Sequence, residues 1–400
     1  MKIETDVIIV GGGLVGLTQA LLLAQNKIQI VCIDKETDKN FESSPFSQRT
    51  TAISYGSHLI LKQAGVWEDL KPHACAIKDI RVLDGNSPTL LGFNLNNNED
   101  AEHAQGFGWV VQNFIIRRVL LKALTKEKSA QYLEGTSVQN FDYKENAIQA
   151  ITDQNQIIDA ALVIGADGRQ SFTRQWAGIE ADRHDYKQRA IISIVHHKDP
   201  HEGIAIEHFR KDGPFAILPM IDRDKGLHQS SIVWTEEVNT KRSLMDFDDK
   251  TYLMALNHRF PEFYGEVISA TERLSYPLGY IHAHEYIKPH IALIGDAAHG
   301  IHPIAGQGLN LGLRDVKELS HLIIKAHLDK ENIGSENLLL QYQQRRRSDN
   351  LSMSSATHIL NKLFSNKNSG LRITRKIGLK IINQFQPAKN IVLKKTMGSK

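Results

Sequence analysis

Between Val7 and Asp34 the chain has room for one compact unit: a strand, a glycine turn, a helix and a second strand. Val7-Ile8-Ile9-Val10 is an apolar, β-branched run of the kind buried on both faces of a parallel sheet. Gly11-Gly12-Gly13-Leu14-Val15-Gly16 follows, and Leu17–Gln25 has the Ala/Leu spacing of a helix with a buried side, stopped by Asn26-Lys27. Ile28–Ile33 reads as the second strand and runs into Asp34. In such a unit Gly11 permits the tight turn, Gly13 lets the backbone approach a pyrophosphate, and Gly16 lets helix and strand pack closely. The helix N-terminus offers free N–H groups and the positive end of its dipole to the phosphates. Asp34 lies 18 residues beyond Gly16, where a carboxylate can accept ribose hydroxyls and disfavours a 2′-phosphate. The turn does not by itself separate NAD from FAD, and a glycine turn that serves packing alone is the plainer alternative.

Two later stretches repeat the strand-then-glycine theme. Ala161-Leu162-Val163-Ile164 precedes Gly165-Ala166-Asp167-Gly168, and Ile291-Ala292-Leu293-Ile294 precedes Gly295-Asp296-Ala297-Ala298-His299. Asp296, at the carboxyl end of a buried strand, stands where ligands meet α/β sheets. Gly306-Gln307-Gly308-Leu309-Asn310 opens a helix expected from about Gly308 to His327. Its N-terminal amides suit an electron-rich ring such as a reduced flavin, which carries negative charge near N1 and O2.

From Ala190 to Tyr280 the texture changes to alternation, with strands expected at Ala190–Val195, Ala216–Met220, Ser231–Thr235 and Arg273–Pro277. The predicted fold class is α/β (α+β, two-domain): a Rossmann-like dinucleotide-binding domain with an inserted, mostly antiparallel β-sheet domain and a helical C-terminus. The expected boundaries are 1–75, 110–180 and 281–345 for the first domain, 76–109 and 181–280 for the second, and 346–400 for C-terminal helices. Asn94–Asp100 reads as a polar loop. Helix is expected after about Asn337, with Arg345-Arg346-Arg347 on it.

These stations, with Arg49 in Ser47-Gln48-Arg49-Thr50-Thr51-Ala52-Ile53-Ser54, make a recognisable set. The chain resembles the aromatic-ring monooxygenases of the para-hydroxybenzoate hydroxylase fold and, more narrowly, the ubiquinone-biosynthesis hydroxylases of the UbiH/UbiF/VisC group. The similarity runs nearly end to end. Asp6–Gly16 is similar to that family's dinucleotide loop, and Arg49 with Ala52-Ile53-Ser54 and Gly65-Val66-Trp67 to its second block. Ala166-Asp167-Gly168-Arg169 with Ser171 and Arg174 resembles the motif shared between FAD and pyridine-nucleotide contacts. Gly213-Pro214 through Leu218-Pro219, Val233-Trp234 and Pro277-Leu278 resemble substrate-domain landmarks. Gly295–Asn310 resembles the second FAD fingerprint, in which Asp296 holds the ribityl chain, and Met397-Gly398 the family's close. Ser47 stands where the family often has Asp, and His290 where it often has Arg. Asn113, beside Gln112, falls where related enzymes place a polar contact to the flavin.

The resemblance implies a cofactor-binding set of Gly11, Gly13, Gly16, Asp34, Arg49, Asn113, Asp167, Asp296, Gly308, Leu309 and Asn310. It implies that NADH or NADPH reduces bound FAD and leaves, and that O2 then gives a C4a-hydroperoxyflavin which hydroxylates a polyprenylated phenol or benzoquinol of ubiquinone biosynthesis. Pro303 is the residue expected beside the reacting carbon. No general base stands out: His299 and His302 flank the loop, where a histidine more often bonds a backbone group. The alternatives are a hydroxylase, epoxidase or reductase of the same fold on another aromatic or isoprenoid, and a non-catalytic flavin-bearing subunit of a quinone-synthesis complex.

Composition narrows the rest. At 41% apolar and 23% charged residues the 400-residue chain is ordinary globular material. No apolar run approaches the roughly 20 residues of a membrane helix, and no basic-then-apolar leader opens the chain. Cys32 and Cys75 cannot build a disulfide scaffold, so a cytoplasmic protein is expected. His196-His197 with His201, and His282 with His284, have ligand-like spacing, but no carboxylate or cysteine completes a set, and no metal is expected.

Residues 351–400 hold ten Lys/Arg and no acid, whereas 38 Lys/Arg against 45 Asp/Glu leave the first 350 residues at −7. Ile373, Ile377, Ile381 and Phe385 recur every four residues beside Arg372, Lys376 and Lys380, with Pro387 to end the helix. Such a tail either lies on an anionic membrane, as a peripheral protein on the inner face of the cytoplasmic membrane would, or packs its apolar stripe on the body. Other ubiquinone-synthesis enzymes are expected partners. Nucleic acid is not, because the folded body lacks a basic, aromatic-interleaved patch.

Overall fold

The computed structural model describes residues 2–39, 48–85, 91–95, 105–210, 213–222, 226–301 and 306–364, with isolated residues 383, 389, 393, 397 and 398. Two large sheets and a small one between them organise the chain.

The first sheet is built on parallel strands. β1 (Lys2–Val10) lies between β2 (Ile30–Ile33) and β11 (Ile157–Gly165); β8 (Ala130–Leu133) extends it beyond β2, and β19 (Ile291–Leu293) beyond β11. β18 (Ile287–Lys288) joins β19 antiparallel, and β10 (Ile148–Thr152) joins the first half of β11 antiparallel and carries β9 (Val138–Tyr143). β1 begins earlier than its apolar run because Lys2–Thr5 pair with Ile157–Ala160 on the outer part of β11. β2 is shorter than expected, since Ile28 and Gln29 form the approach to it.

Helix α1 (Leu14–Ala24) starts at Leu14, inside the glycine turn, and lies against both α4 (Asn113–Leu124) and α7 (Gln307–Leu328). α8 (Glu336–Phe364) carries Arg345-Arg346-Arg347, as expected, and packs on α7. Short helices α2 (Tyr55–Gln63), α3 (Trp67–Leu70) and α5 (Phe172–Trp176) complete this layer.

The second sheet has nine strands. β12 (Ala181–His197) pairs antiparallel with β15 (His228–Glu237), β17 (Leu274–Ala283) and β16 (Val267–Ala270). β14 (Gly213–Pro219) and β13 (Ile204–Arg210) follow beyond β15, then β5 (Asp79–Asp84), parallel to β13, and β6 (Leu91–Asn94). The two-residue β20 (His299–Gly300) hangs on β17. β12 runs nine residues further back than the apolar pattern suggested, because Ala181–Lys187 is a mostly exposed ribbon paired with β17, where a polar sequence is tolerated.

Period-2 alternation splits this sheet. Ile191, Val195, Phe215, Ile232 and Trp234 face a core closed by Tyr252 and Leu256 of α6 (Asp249–Arg259). Ala190, Ile192, Leu274 and Leu278 face the other way. The small sheet, β3 (Thr50–Ser54), β7 (Gly108–Gln112) and β4 (Cys75–Ile77), sits on that second side. Its Ile53, Trp109 and Val111 enter the core of the parallel sheet, while Ile77 and Val110 meet Ile194, Ala205 and Met220 of the large one. Alternation in three short strands thus joins the two halves. Cys32 and Cys75 are both buried and free.

Candidate active site

The glycine turn is sorted by what a side chain would meet. Gly11 has φ +111, and a Cβ there would lie 2.4 Å from the Ala166 carbonyl oxygen, so the turn after β1 is pressed on the turn after β11. A Cβ on Gly16 would sit 1.9 Å from the Gly11 carbonyl oxygen. Gly13 has an ordinary φ of −73, and none of the described residues comes within 4 Å of its Cβ position. The open side of the turn therefore lies at Gly13, where α1 begins with no side-chain cap and no acid in its first turn. Its first N–H groups have no partner within the helix.

Asp34 follows β2 and is held from three sides: Arg117 Nη2 at 3.4 Å, Tyr132 Oη at 3.3 Å and the Glu36 N–H at 3.1 Å. Burial pushes its carboxyl above the ordinary value, against the pull of those donors. Arg117, buried on α4, also donates from Nε to the Gly12 carbonyl at 3.3 Å and pairs with Asp38. The sequence reading missed Arg117; the signal available was its place on the Asn113 helix, and only the packing of α4 on α1 gives it meaning.

The other stations converge through long-range contacts. Both oxygens of Asp167 are used inside its own loop, accepting from Ser171 Oγ and from the N–H and Oγ1 of Thr173 at 2.9 and 3.0 Å. That carboxylate thus holds the start of α5. Arg174, fully buried, donates to the Ala297 carbonyl at 2.7 Å and the Arg169 carbonyl at 2.9 Å. Asp296 remains 42% exposed and accepts from Arg169 Nε at 3.1 Å. Val15 of α1 lies against both Gly295 and Gly312, where added Cβ atoms would approach it to 3.2 and 2.7 Å.

α7 begins after Gly306 (φ +62), again with no first-turn acid, and among the described residues no side chain caps it and nothing lies within 4 Å of a Cβ on Gly308. The buried Asn310 faces inward: it accepts from the Ser54 N–H at 2.9 Å and donates to the Ala52 carbonyl at 3.0 Å. It stitches the start of α7 to β3. Asn113 accepts from Thr51 Oγ1 at 2.6 Å, and its N–H donates to the Arg49 carbonyl at 2.8 Å. The exposed Arg49 guanidinium stands 5.2 Å from the ring centre of Tyr276 on β17, and Thr50 Oγ1 donates to Ser231 Oγ at 2.7 Å. These contacts bring the small sheet, the second fingerprint and the apolar face of the large sheet to one place. Pro303 and His302 lie outside the described residues, as do Ser47 and most of Asn94–Asp100.

His299 is buried, and its Nε2 is paired with Asp315, which also accepts from Arg346 Nε at 2.8 Å, Asn350 Nδ2 at 3.0 Å and the Gly295 N–H at 3.0 Å. Burial alone would raise the Asp315 carboxyl, but His299 and Arg346 hold it well below the usual range. The network braces the Gly295 turn from behind, and the sequence reading did not see it. His197 is bound to the Asp199 carbonyl and Ser230, and His201 to the Met220 carbonyl. Among the described residues no group of three or more His, Cys, Asp or Glu is arranged to hold a metal.

A family model described as an FAD binding domain matches residues 4–353. Over 394 residues the chain is 36% identical to ubiquinone hydroxylase UbiL of Rhodospirillum rubrum, covering 98% of this chain and 90% of that protein. It is 28% identical over 445 residues to the human mitochondrial ubiquinone biosynthesis monooxygenase COQ6, covering 97% and 91%. Among solved structures, PqsL of P. aeruginosa in complex with 2-aminobenzoylacetate matches with a TM-score of 0.80 at 20% identity, covering 94% of this chain and 99% of that one. The p-nitrophenol 4-monooxygenase PnpA of Pseudomonas putida matches at 0.79 and 20%, covering 100% and 99%. Those two likenesses speak for the fold, while the family match and the near-full-length relatives place the chain by sequence: it belongs to the FAD-binding-domain family, within its group of ubiquinone-biosynthesis hydroxylases.

Proposed function

We propose that this protein is an FAD-dependent monooxygenase that hydroxylates the ring of a polyprenylated phenol or benzoquinol on the way to ubiquinone, with NADH or NADPH as reductant and O2 as co-substrate. The observation that carries the cofactor part is the pair of uncapped helix N-termini, α1 and α7, both free of acidic first turns and locked together through Val15. Helix starts left without a cap or an acid suit a negatively charged ligand. On this reading Gly11, Gly13 and Gly16 with the first amides of α1 take the pyrophosphate. Asp34, aimed by Arg117 and Tyr132, accepts the ribose hydroxyls. Asp296 takes the ribityl chain, with Asp167 fixing the loop beside it. The backbone at Gly308 and Leu309 faces the ring system, Asn310 anchors that helix start, and Arg49 and Asn113 edge the ring. Bound there, FAD supplies the activation of oxygen, and the protein supplies orientation and exclusion of water.

The substrate part rests on the large sheet. Ile192, Val233, Leu274 and Leu278, with the rings of Tyr186 and Tyr276, form an apolar wall on the side that carries Ser231 and the Arg49 contact. An apolar wall bordered by few polar groups suits a prenylated ring. On the same reading residues 1–75, 110–180 and 281–345 carry the cofactor, residues 76–109 and 181–280 the substrate, and Pro303 approaches the reacting carbon.

Asp296→Ala tests the cofactor assignment: it should purify folded with little bound flavin, and full flavin occupancy would overturn it. For the reaction, NAD(P)H oxidation with oxygen uptake should rise when a prenylated phenol is added. Deletion of the gene in its host should leave a prenylated phenol short of hydroxyls. An unchanged quinone profile, together with no stimulation by the phenol, would reject the substrate class.

Peripheral membrane contact is part of the proposal because the substrate is a lipid. No helix among the described residues is long and apolar enough to cross a bilayer. The stripe from Arg372 to Pro387 lies outside the described residues except Asn383. Further on, Leu393 and Met397 pack on Leu91, Phe93 and Phe107 of the body. Co-sedimentation with vesicles at low salt should be stronger for anionic than for neutral lipid, and equal binding would remove this part.

A further inference from the structure

The Arg169 side chain bonds at once to the Asp296 turn, to the segment after it and to the large sheet. Its Nε donates to Asp296 Oδ2 at 3.1 Å, its Nη1 to the Gly279 carbonyl of β17 at 2.8 Å, and its Nη2 to the Ile301 carbonyl at 3.0 Å. The fork leaves little slack. A Cβ on Gly300 would come within 3.1 Å of Arg169 Nε, so the two-residue β20 lies flat against the guanidinium. The base of the side chain is fixed as well, because the buried Arg174 holds the Arg169 carbonyl and, with its other nitrogen, the Ala297 carbonyl. Two arginines, one in the turn before α5 and one on α5, therefore grip residues 296–301 from two points. Arg174 fixes backbone only, whereas Arg169 also reaches a carboxylate that is 42% exposed.

A carboxylate on a glycine-flanked turn is free to rotate unless something fills one of its oxygens. Arg169 fills Oδ2, which leaves Oδ1 directed by a rigid fork rather than by the turn alone. We propose that Arg169 is a positioning residue for FAD: it aims Asp296 at the cofactor's hydroxyl chain and ties that aim to strand β17 of the substrate sheet. The proposal rests on the assignment of Asp296 to the ribityl chain.

The test is FAD titration of the apoproteins of wild type, Arg169→Gln, Arg169→Lys, Asp296→Asn and the double variant Arg169→Gln/Asp296→Asn. Arg169→Gln should weaken FAD binding about tenfold, the size of one charge-assisted contact at a half-exposed site. Arg169→Lys keeps a cation within reach of Asp296 but loses the planar fork, so it should fall between wild type and glutamine, about threefold below wild type. Asp296→Asn should weaken binding by itself, and Arg169→Gln should then add almost nothing on that background, because the two act as a unit. Additive losses would overturn the proposal, as would wild-type affinity in Arg169→Gln, or a lysine no better than glutamine. Wild-type affinity in Asp296→Asn would instead overturn the assignment of Asp296 and the proposal with it. If Arg169→Gln does not fold, the lysine variant alone and on the Asp296→Asn background carries the same comparison.

Discussion

Gly13 and Gly16 stand three residues apart in one turn, and the same added methyl group should damage them in different ways. At Gly16 the new Cβ would lie 1.9 Å from the Gly11 carbonyl oxygen, more than 1 Å inside the 3.0 Å that real Cβ contacts respect. The obstacle is backbone in a turn already pressed on Ala166, so α1 must slide away from β1. Overpacking of this kind costs about 1–3 kcal/mol or more. At Gly13 φ is −73 and none of the described residues lies within 4 Å, so Gly13→Ala costs the fold only the difference between glycine and alanine at an N-cap, about 1 kcal/mol or less. Its methyl group does project into the space assigned to the pyrophosphate. FAD affinity of Gly13→Ala should therefore fall on the order of 100-fold, equivalent to roughly 2.7 kcal/mol. Gly16→Ala should lose stability and affinity together. The assay is a urea midpoint of each apoprotein beside an FAD titration by quenching of flavin fluorescence. Wild-type FAD affinity in Gly13→Ala would refute the cradle, and a urea midpoint as low as that of Gly16→Ala would refute the geometry of the turn.

Asp315→Asn should cost about 3–5 kcal/mol in urea unfolding at neutral pH, since it strips a buried carboxylate from Arg346 and His299. The Asp315 carboxyl titrates lower in the folded than in the unfolded chain, so its stabilisation is present above about pH 4 and fades as pH falls below it. The variant should flatten that acid arm, and an unchanged arm would reject the argument. Burial holds the His282 imidazole down to about 4, so between about pH 6.5 and 4 the unfolded chain takes up the proton first and stability falls with pH. Among the described residues neither ring nitrogen of His282 has a hydrogen-bond partner, so His282→Phe should change stability at pH 7 by less than about 1 kcal/mol while making that slope shallower. A slope identical to wild type would count against it. Gly56→Val should loosen the C-terminal end, because a Cβ there would lie 2.6 Å from the Gly398 carbonyl oxygen. Limited proteolysis should then remove the last residues sooner than in wild type; equal rates would mean that the contact is not made in solution.

Local chemistry was readable in the sequence where neighbouring residues settle the outcome. The β1–α1–β2 unit, the start of α7 within a residue and Arg345–Arg347 on α8 all follow from patterns shorter than one element. Strand ends were less readable: Lys2–Thr5 and Ala181–Lys187 are strand because of the partner they pair with, and their polar residues hide it. Contacts between distant segments could not be read at all. Arg117 gains its role only when α4 lies beside the glycine turn, and Asp315 gains His299 only when α7 folds back on β20. Asp167 shows the same limit from the other side. A motif places it at the site, yet its oxygens are turned to Ser171 and Thr173.

The contact of Val15 with Gly295 and Gly312 bears on the order in which the protein can be made. The first half of the cradle leaves the ribosome within the first forty residues, but the surface that seats it is some 280 residues further along the chain. Until β19 and α7 have been synthesised, the turn at Gly11–Gly16 has no Gly295 to rest on, and Ser54 has no Asn310. On the proposed assignment, a nascent chain shorter than about Gly312 should not retain the cofactor, however complete its first β-α-β unit. Loading is confined to the last stage of synthesis or to the finished polypeptide, and truncated translation products should be colourless.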